Sequence, residues 1–113
     1  MGDYDKEVAD RIEAVKELHK LRGAGANFML ESTKPKYSYN FSSLGRPIIQ
    51  YPQDMVAMQE LIWKIKPDLV IETGIAHGGS LILSASMLSL LDYCDALGDG
   101  SMLDPTAPRR RVL

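Results

Sequence analysis

Apolar positions recur along the chain in distinct regimes, and each predicts a different element. Val8, Ile12, Val15, Leu18 and Leu21 stand three or four residues apart, mostly with charged residues between them. That spacing predicts one amphipathic helix from about Asp5 to Arg22 with one buried face. Asp3 or Asp5 can cap its start, and Gly23 and Gly25 are expected to stop it. Met55, Met58, Leu61, Ile62 and Ile65 repeat the pattern and predict a helix from Gln53 to about Ile65. Pro52 suits its first turn, and Lys66-Pro67 closes it, because proline disfavours helix at the preceding residue. Asp68 to Thr73 is a short, largely apolar run closed by Gly74, the pattern of a buried, parallel-type strand. From about Gly79 to Tyr93 apolar residues lie nearly all round, which predicts a helix buried on more than one side.

The connections are unequal. Residues 26–52 carry Pro35, Gly45, Pro47 and Pro52 and read as one long connection. Its Tyr37, Tyr39, Phe41 and Tyr51 either pack an arm against the core or a neighbouring subunit, or form a lip over a ligand. Residues 94–108 read as a second loop. Arg109 to Arg111 either meet phosphate or an acidic partner or, on the plainer reading, form a solvated lead-in to a strand that begins at Val112-Leu113.

The order strand, glycine loop, helix, strand is that of the first unit of a doubly wound α/β fold. A parallel strand needs neighbours to satisfy its backbone, and two strands do not make a stable open sheet. The expectation is therefore the N-terminal portion of a longer α/β polypeptide, inactive and poorly folded alone. Residues 1–52 are read as an N-terminal helix and arm, and 53–113 as the first part of a ligand-binding domain.

Composition narrows the function. A 45% hydrophobic, 25% charged chain with net charge −2 is an ordinary globular one, without the basic surplus of a dedicated nucleic-acid binder. Cys94 is the one cysteine, so no intrachain disulfide or cysteine-based metal site forms, and a cytoplasmic setting is expected. The acidic N-terminus is no secretory signal. The most apolar stretch, Leu81 to Leu91, reads as too short to span a bilayer.

The chemistry centres on Glu72-Thr73-Gly74-Ile75-Ala76-His77-Gly78-Gly79-Ser80. Gly74 permits a tight turn, and Gly78 and Gly79 let backbone approach a ligand at a helix N-terminus. A Walker loop fails for want of its lysine, and the dinucleotide fingerprint fits poorly, because the glycines are spaced Gly-x-x-x-Gly-Gly. Glu-x-Gly-x-x-x-Gly-x-Ser resembles the first motif of class I S-adenosylmethionine-dependent methyltransferases. With Gly45 to Asp54, Gln59 to Trp63 and Lys66 to Ser80, it resembles the cephalosporin hydroxylase/rhamnosyl O-methyltransferase family over roughly residues 37–92.

That resemblance implies a Rossmann-like methyltransferase sheet and methyl transfer to a small-molecule or sugar hydroxyl. It implies S-adenosylmethionine at Glu72, Gly74, Ile75, Ala76, His77, Gly78 and Ser80, with the loop backbone along the methionine part. Glu72 is expected to orient the loop or the cofactor amine, and Gln50 and Tyr51 to form a lip past the cofactor. Magnesium is implied too, but the family's metal ligands follow the second strand, so none maps onto this chain. No catalytic residue is assigned. His77 reads as a base or, by preference, as a loop support. The expected partners are a small-molecule acceptor and further copies of the full-length protein. The competing class is a non-catalytic remnant or oligomerisation piece, built on the apolar helix and aromatic arm.

Overall fold

A computed structural model describes residues 2–113. Elements run α1 (Gly2–Val15), α2 (His19–Thr33), a 3-10 turn (Tyr37–Tyr39), β1 (Phe41–Ser43), β2 (Arg46–Ile48), α3 (Pro52–Ile65), β3 (Leu69–Val70), α4 (Gly79–Asp99) and β4 (Arg111–Val112). They fall into two compact units, one ending at Tyr37 and one spanning Ser38–Leu113.

In the first unit the expected single helix is two. The α-helical ladder gives way to short three-residue bonds at Lys16 to Leu18, and Leu18 leaves helical geometry at ψ 71°. The Arg22 guanidinium donates to the Lys16 carbonyl there, at 3.2 Å. Gly23 and Gly25 do not stop the helix but lie within α2, and neither takes positive φ. A glycine terminates a helix when it turns left-handed, and otherwise costs only about 1 kcal/mol inside one. The expected buried face is also absent: α1 has no buried residue, and Ile12 is 61% exposed. Periodicity reports which face could be covered, not what covers it. Phe28 and Tyr37 meet edge to face at 5.3 Å.

The long connection is mostly structured, which resolves its improbable length. Beyond the end of α2 it holds an antiparallel hairpin, β1–β2, in register Phe41↔Ile48 and Ser43↔Arg46. Leu44 and Gly45 turn it with φ of 47° and 81°, the pair of positive values a type I′ turn requires. Pro47 is tolerated because the sheet has two strands, so one edge of β2 needs no ladder donor.

α3 forms as its pattern predicts, with proline in its first turn. It ends on Lys66, left-handed at φ 50°, whose N–H bonds the Ile62 carbonyl at 2.8 Å. β3 and β4 pair in parallel, Leu69↔Arg111 and Val70↔Val112. The ladder is extended by Glu72 N–H to the Leu113 carbonyl at 2.8 Å. The parallel pairing is as expected, but the strand is shorter than 68–73 and is not buried: Ile71 is 70% exposed. β4 lies on one edge of β3, and no described strand lies on the other.

α4 starts at Gly79 as expected but continues past Tyr93 to Asp99 before Gly100 turns left-handed at φ 69°. It is buried along one stripe, Ser84, Leu88, Leu91, Asp92 and Ala96, rather than on several sides, and Leu90 and Leu97 face out. At 21 residues it is also long and apolar enough to cross a membrane by length and composition, contrary to the expectation from Leu81 to Leu91. Its buried Leu88 and Leu91 face the core. Ile62, Leu88 and Leu91 form that core, with Val70, Met87 and Val112 against it. The chain is thus mixed helix and strand, and β3–α4–β4 is a helix-linked parallel pair, as in α/β proteins.

Arg110 corrects the solvated reading of the basic run. Its side chain is 10% exposed and meets Asp92 and Asp95, each at 2.7 Å. Asp92 also accepts the Arg109 N–H at 2.9 Å. These bonds fasten β4 to the far end of α4.

Candidate functional site

The loop from β3 to α4 is built by backbone constraint. Gly74, Ala76 and Gly78 all take positive φ, at 78°, 43° and 82°. The Gly78 N–H closes a turn onto the Ile75 carbonyl at 2.6 Å, and the Gly78 carbonyl accepts the first helical bond, from Ile82 N–H at 3.0 Å. Gly78 is therefore the N-cap of α4, and a side chain there would have to adopt a left-handed backbone. The first-turn N–H groups of α4 have no acceptor within the helix, and they point to the loop.

Gly79 has a different role from the one its sequence position suggests. A Cβ on Gly79 would lie 2.6 Å from the Ile48 Cβ and 2.7 Å from the Pro47 carbonyl carbon. What approaches it closely is the β2 backbone, not an open ligand face. The hairpin sits on the first residue of α4 and closes that side of the loop.

The residues singled out in the sequence divide between two clefts on either side of this start. Ile75, Ala76, His77 and Gly78 line an open cleft of about 430 Å³. Glu72, Ser80 and Gln50 line a second, smaller one of about 240 Å³. Gly74 and Tyr51 line neither. Within the second cleft the Ser80 hydroxyl donates to the half-buried Glu72 carboxylate. That bond ties the strand end to the helix start and fixes one carboxylate oxygen, leaving the other as an acceptor. His77 is exposed and has no hydrogen-bonding partner among the described residues, so nothing here orients it as a base.

Three neighbours escaped the sequence reading. Arg46 lines the larger cleft from the hairpin, its Cδ 3.5 Å from where a Gly78 Cβ would stand. Asp54, in the first turn of α3, and Ser84, one turn beyond Ser80, line the smaller one. Arg46 and Asp54 both lie in the stretch from Gly45 to Asp54 that carries the family resemblance. Ser84 had no signal beyond its four-residue spacing from Ser80.

At the other end of α4, Arg110 is held above its ordinary pKa, chiefly by its bond to Asp95 and also by Asp92, against the opposing effect of burial. The guanidinium is therefore charged, and its Nε alone is buried without a partner. Asp99 is held below the usual carboxylate range, first by the Ser101 hydroxyl and then by the Ser101 N–H.

The rhamnosyl O-methyltransferase/CmcI family matches residues 35–113. No curated protein and no solved structure matches the chain.

Proposed function

The chain belongs to the rhamnosyl O-methyltransferase/CmcI family, and on that premise we propose that residues 53–113 are the first part of a Rossmann-like, S-adenosylmethionine-binding methyltransferase domain. The observation that carries this reading is the Glu72–Ser80 loop. It joins a parallel strand to a helix N-terminus, keeps three left-handed residues, and presents free N–H groups beside a bonded Glu72–Ser80 pair.

These features fit the amino-acid end of the cofactor. The helix start offers N–H donors to a carboxylate. Glu72 offers an acceptor to an ammonium group. The larger cleft, walled by Ile75, Leu81 and Val112, offers an apolar face to an adenosine. When bound, the cofactor supplies an electrophilic methyl group. This chain's residues then contribute binding and orientation, holding that methyl in line with an acceptor oxygen. The acceptor we infer is a small-molecule or sugar hydroxyl, and the setting cytoplasmic. Among the described residues no group of three or more His, Cys, Asp and Glu could hold a metal ion, so magnesium does not fit these residues and no step is routed through it.

The test is calorimetric titration of the intact polypeptide with S-adenosylhomocysteine. Saturable binding is expected, weakened about tenfold by Glu72→Gln, the cost of one charge-assisted hydrogen bond to the ammonium. Absence of binding in the wild type removes the cofactor reading.

A second reading, self-association, is favoured by one observation. Trp63 and Leu90, 56% and 64% exposed, border an apolar groove of about 440 Å³ between α3 and α4. Sedimentation of wild type against Trp63→Glu would decide it: a monomer in both excludes this groove as a contact.

A further inference from the structure

α1 and α2 precede residues 35–113, the span that the family matches, so the cofactor reading leaves both helices without a role. Each carries an exposed apolar stripe. Tyr4, Val8, Ile12 and Val15 recur at four, four and three residues along α1, and Leu21, Gly25, Phe28 and Met29 share one face of α2. Neither helix covers the other: α1 has no buried residue, Ser32 alone is buried in α2, and Tyr4, Ile12, Leu21 and Met29 are exposed. Contiguous apolar rows left open on a folded unit mark a contact surface.

Charge identifies the occupant. α1 carries five acidic and two basic side chains, whereas residues 16–36 carry five basic and two acidic. The ion pairs Arg11 with Glu7 and Lys16 with Glu13 are exposed and local, and they leave an acidic excess on α1 and a basic one beyond it. The helices are also matched in length, at 14 and 15 residues. One chain thus carries both halves of a complementary pair, and the break at Lys16 to Leu18 separates them within the chain. A two-fold axis between two copies satisfies both halves at once, because it sets each acidic helix against the other copy's basic one. A foreign partner would have to present an acidic and a basic apolar helix together.

We propose that α1 and α2 form a self-association surface, in which α1 of one copy packs on α2 of a second copy, and the reverse. The apolar stripes supply the attraction, and the opposite charges set which helix meets which. This surface is a different one from the groove beside Trp63, and it does not depend on the cofactor reading.

Sedimentation velocity of the intact polypeptide tests it with two charge-reversed forms. One carries Asp5→Lys with Glu7→Lys and the other Lys20→Glu with Arg22→Glu, all at exposed positions. The wild type is expected to dimerise, and each reversed form alone to self-associate about tenfold more weakly. Mixed in equal amounts, the two forms are expected to regain wild-type association, since the reversed α1 of one meets the reversed α2 of the other. Ile12→Glu is expected to abolish the dimer, and Trp63→Glu to leave it intact. A monomeric wild type overturns the proposal. So do reversed forms that associate like wild type, a mixture no tighter than its components, or a dimer that Trp63→Glu abolishes and Ile12→Glu does not.

Discussion

The two ends of α4 are fixed to their surroundings by opposite means. At the N-terminal end contact is made by backbone: Gly79 admits the β2 chain where any Cβ would collide, and Gly78 turns left-handed to cap the helix. At the C-terminal end it is made by charge: Arg110 bridges Asp92 and Asp95, and Asp92 also takes the backbone N–H groups of Arg109 and Arg110, just before β4. The difference teaches where a ligand can act. The first end leaves N–H groups, Glu72 and open cleft volume unspent. The second end consumes its charges internally, save one Arg110 Nε. A helix held by charge at one end and by close backbone approach at the other can be rigid and still present an unsatisfied terminus.

The largest effect that would break this comparison is at the charged end. Asp92→Ala leaves Arg110 with Asp95 alone and takes the acceptor from the Arg109 and Arg110 N–H groups, and it is expected to cost about 3 kcal/mol, read as a lower urea midpoint. The sharper form is the pair Asp92→Leu with Arg110→Met, which is expected to recover part of that loss. If Asp92→Ala melts like wild type, the clamp holds nothing. Next is the backbone end. Gly79→Ala forces the hairpin off the helix start and is expected to cost about 2 kcal/mol, in the range of overpacked cores. An unchanged urea midpoint would mean that the hairpin yields without cost.

A smaller change of opposite sign tests the hairpin that supplies this contact. Leu44 holds a left-handed φ of 47°, and Leu44→Asn is expected to stabilise by about 1 kcal/mol in thermal melts. The smallest effect is in pH. Asp99 and Asp104 are held below their ordinary value of 3.8, by Ser101 and Thr106 respectively, and both are fully exposed. Depressed carboxylates stabilise above that value, and the contribution is lost as pH falls through the lowered ones. Arg110, held above its ordinary value chiefly by Asp95, keeps its contribution through the acid and neutral range and loses it only on the far alkaline side. Melting temperature should therefore be flat near neutrality and fall in acid, with Asp99→Asn trimming only the acid limb.

What could be read from the chain follows the range of the forces involved. α3, its Lys66-Pro67 stop, the start of α4 and the parallel β3–β4 pairing were all legible, because proline geometry and apolar runs act locally. The glycine turn between β3 and α4 was legible for the same reason. The hairpin was not, since each strand has three residues and its turn uses Leu44 where Asn would have announced it. Gly79 read as a ligand-facing glycine because the sequence does not reveal that Pro47 and Ile48 return to it. Arg110 read as solvated because its partners lie up to eighteen residues earlier, one face along α4. The apolar stripe of α1 showed periodicity without showing burial, which depends on what a helix meets.

The central claim is that the glycine-loop end of α4 is the ligand end and the Asp92 end is structural. Hydrogen exchange of the intact polypeptide, with and without saturating S-adenosylhomocysteine, tests it most directly. The account predicts slowed exchange at amides 74–82 and unchanged exchange at 92–99. Unchanged exchange at 74–82, or protection concentrated at 92–99, would contradict it.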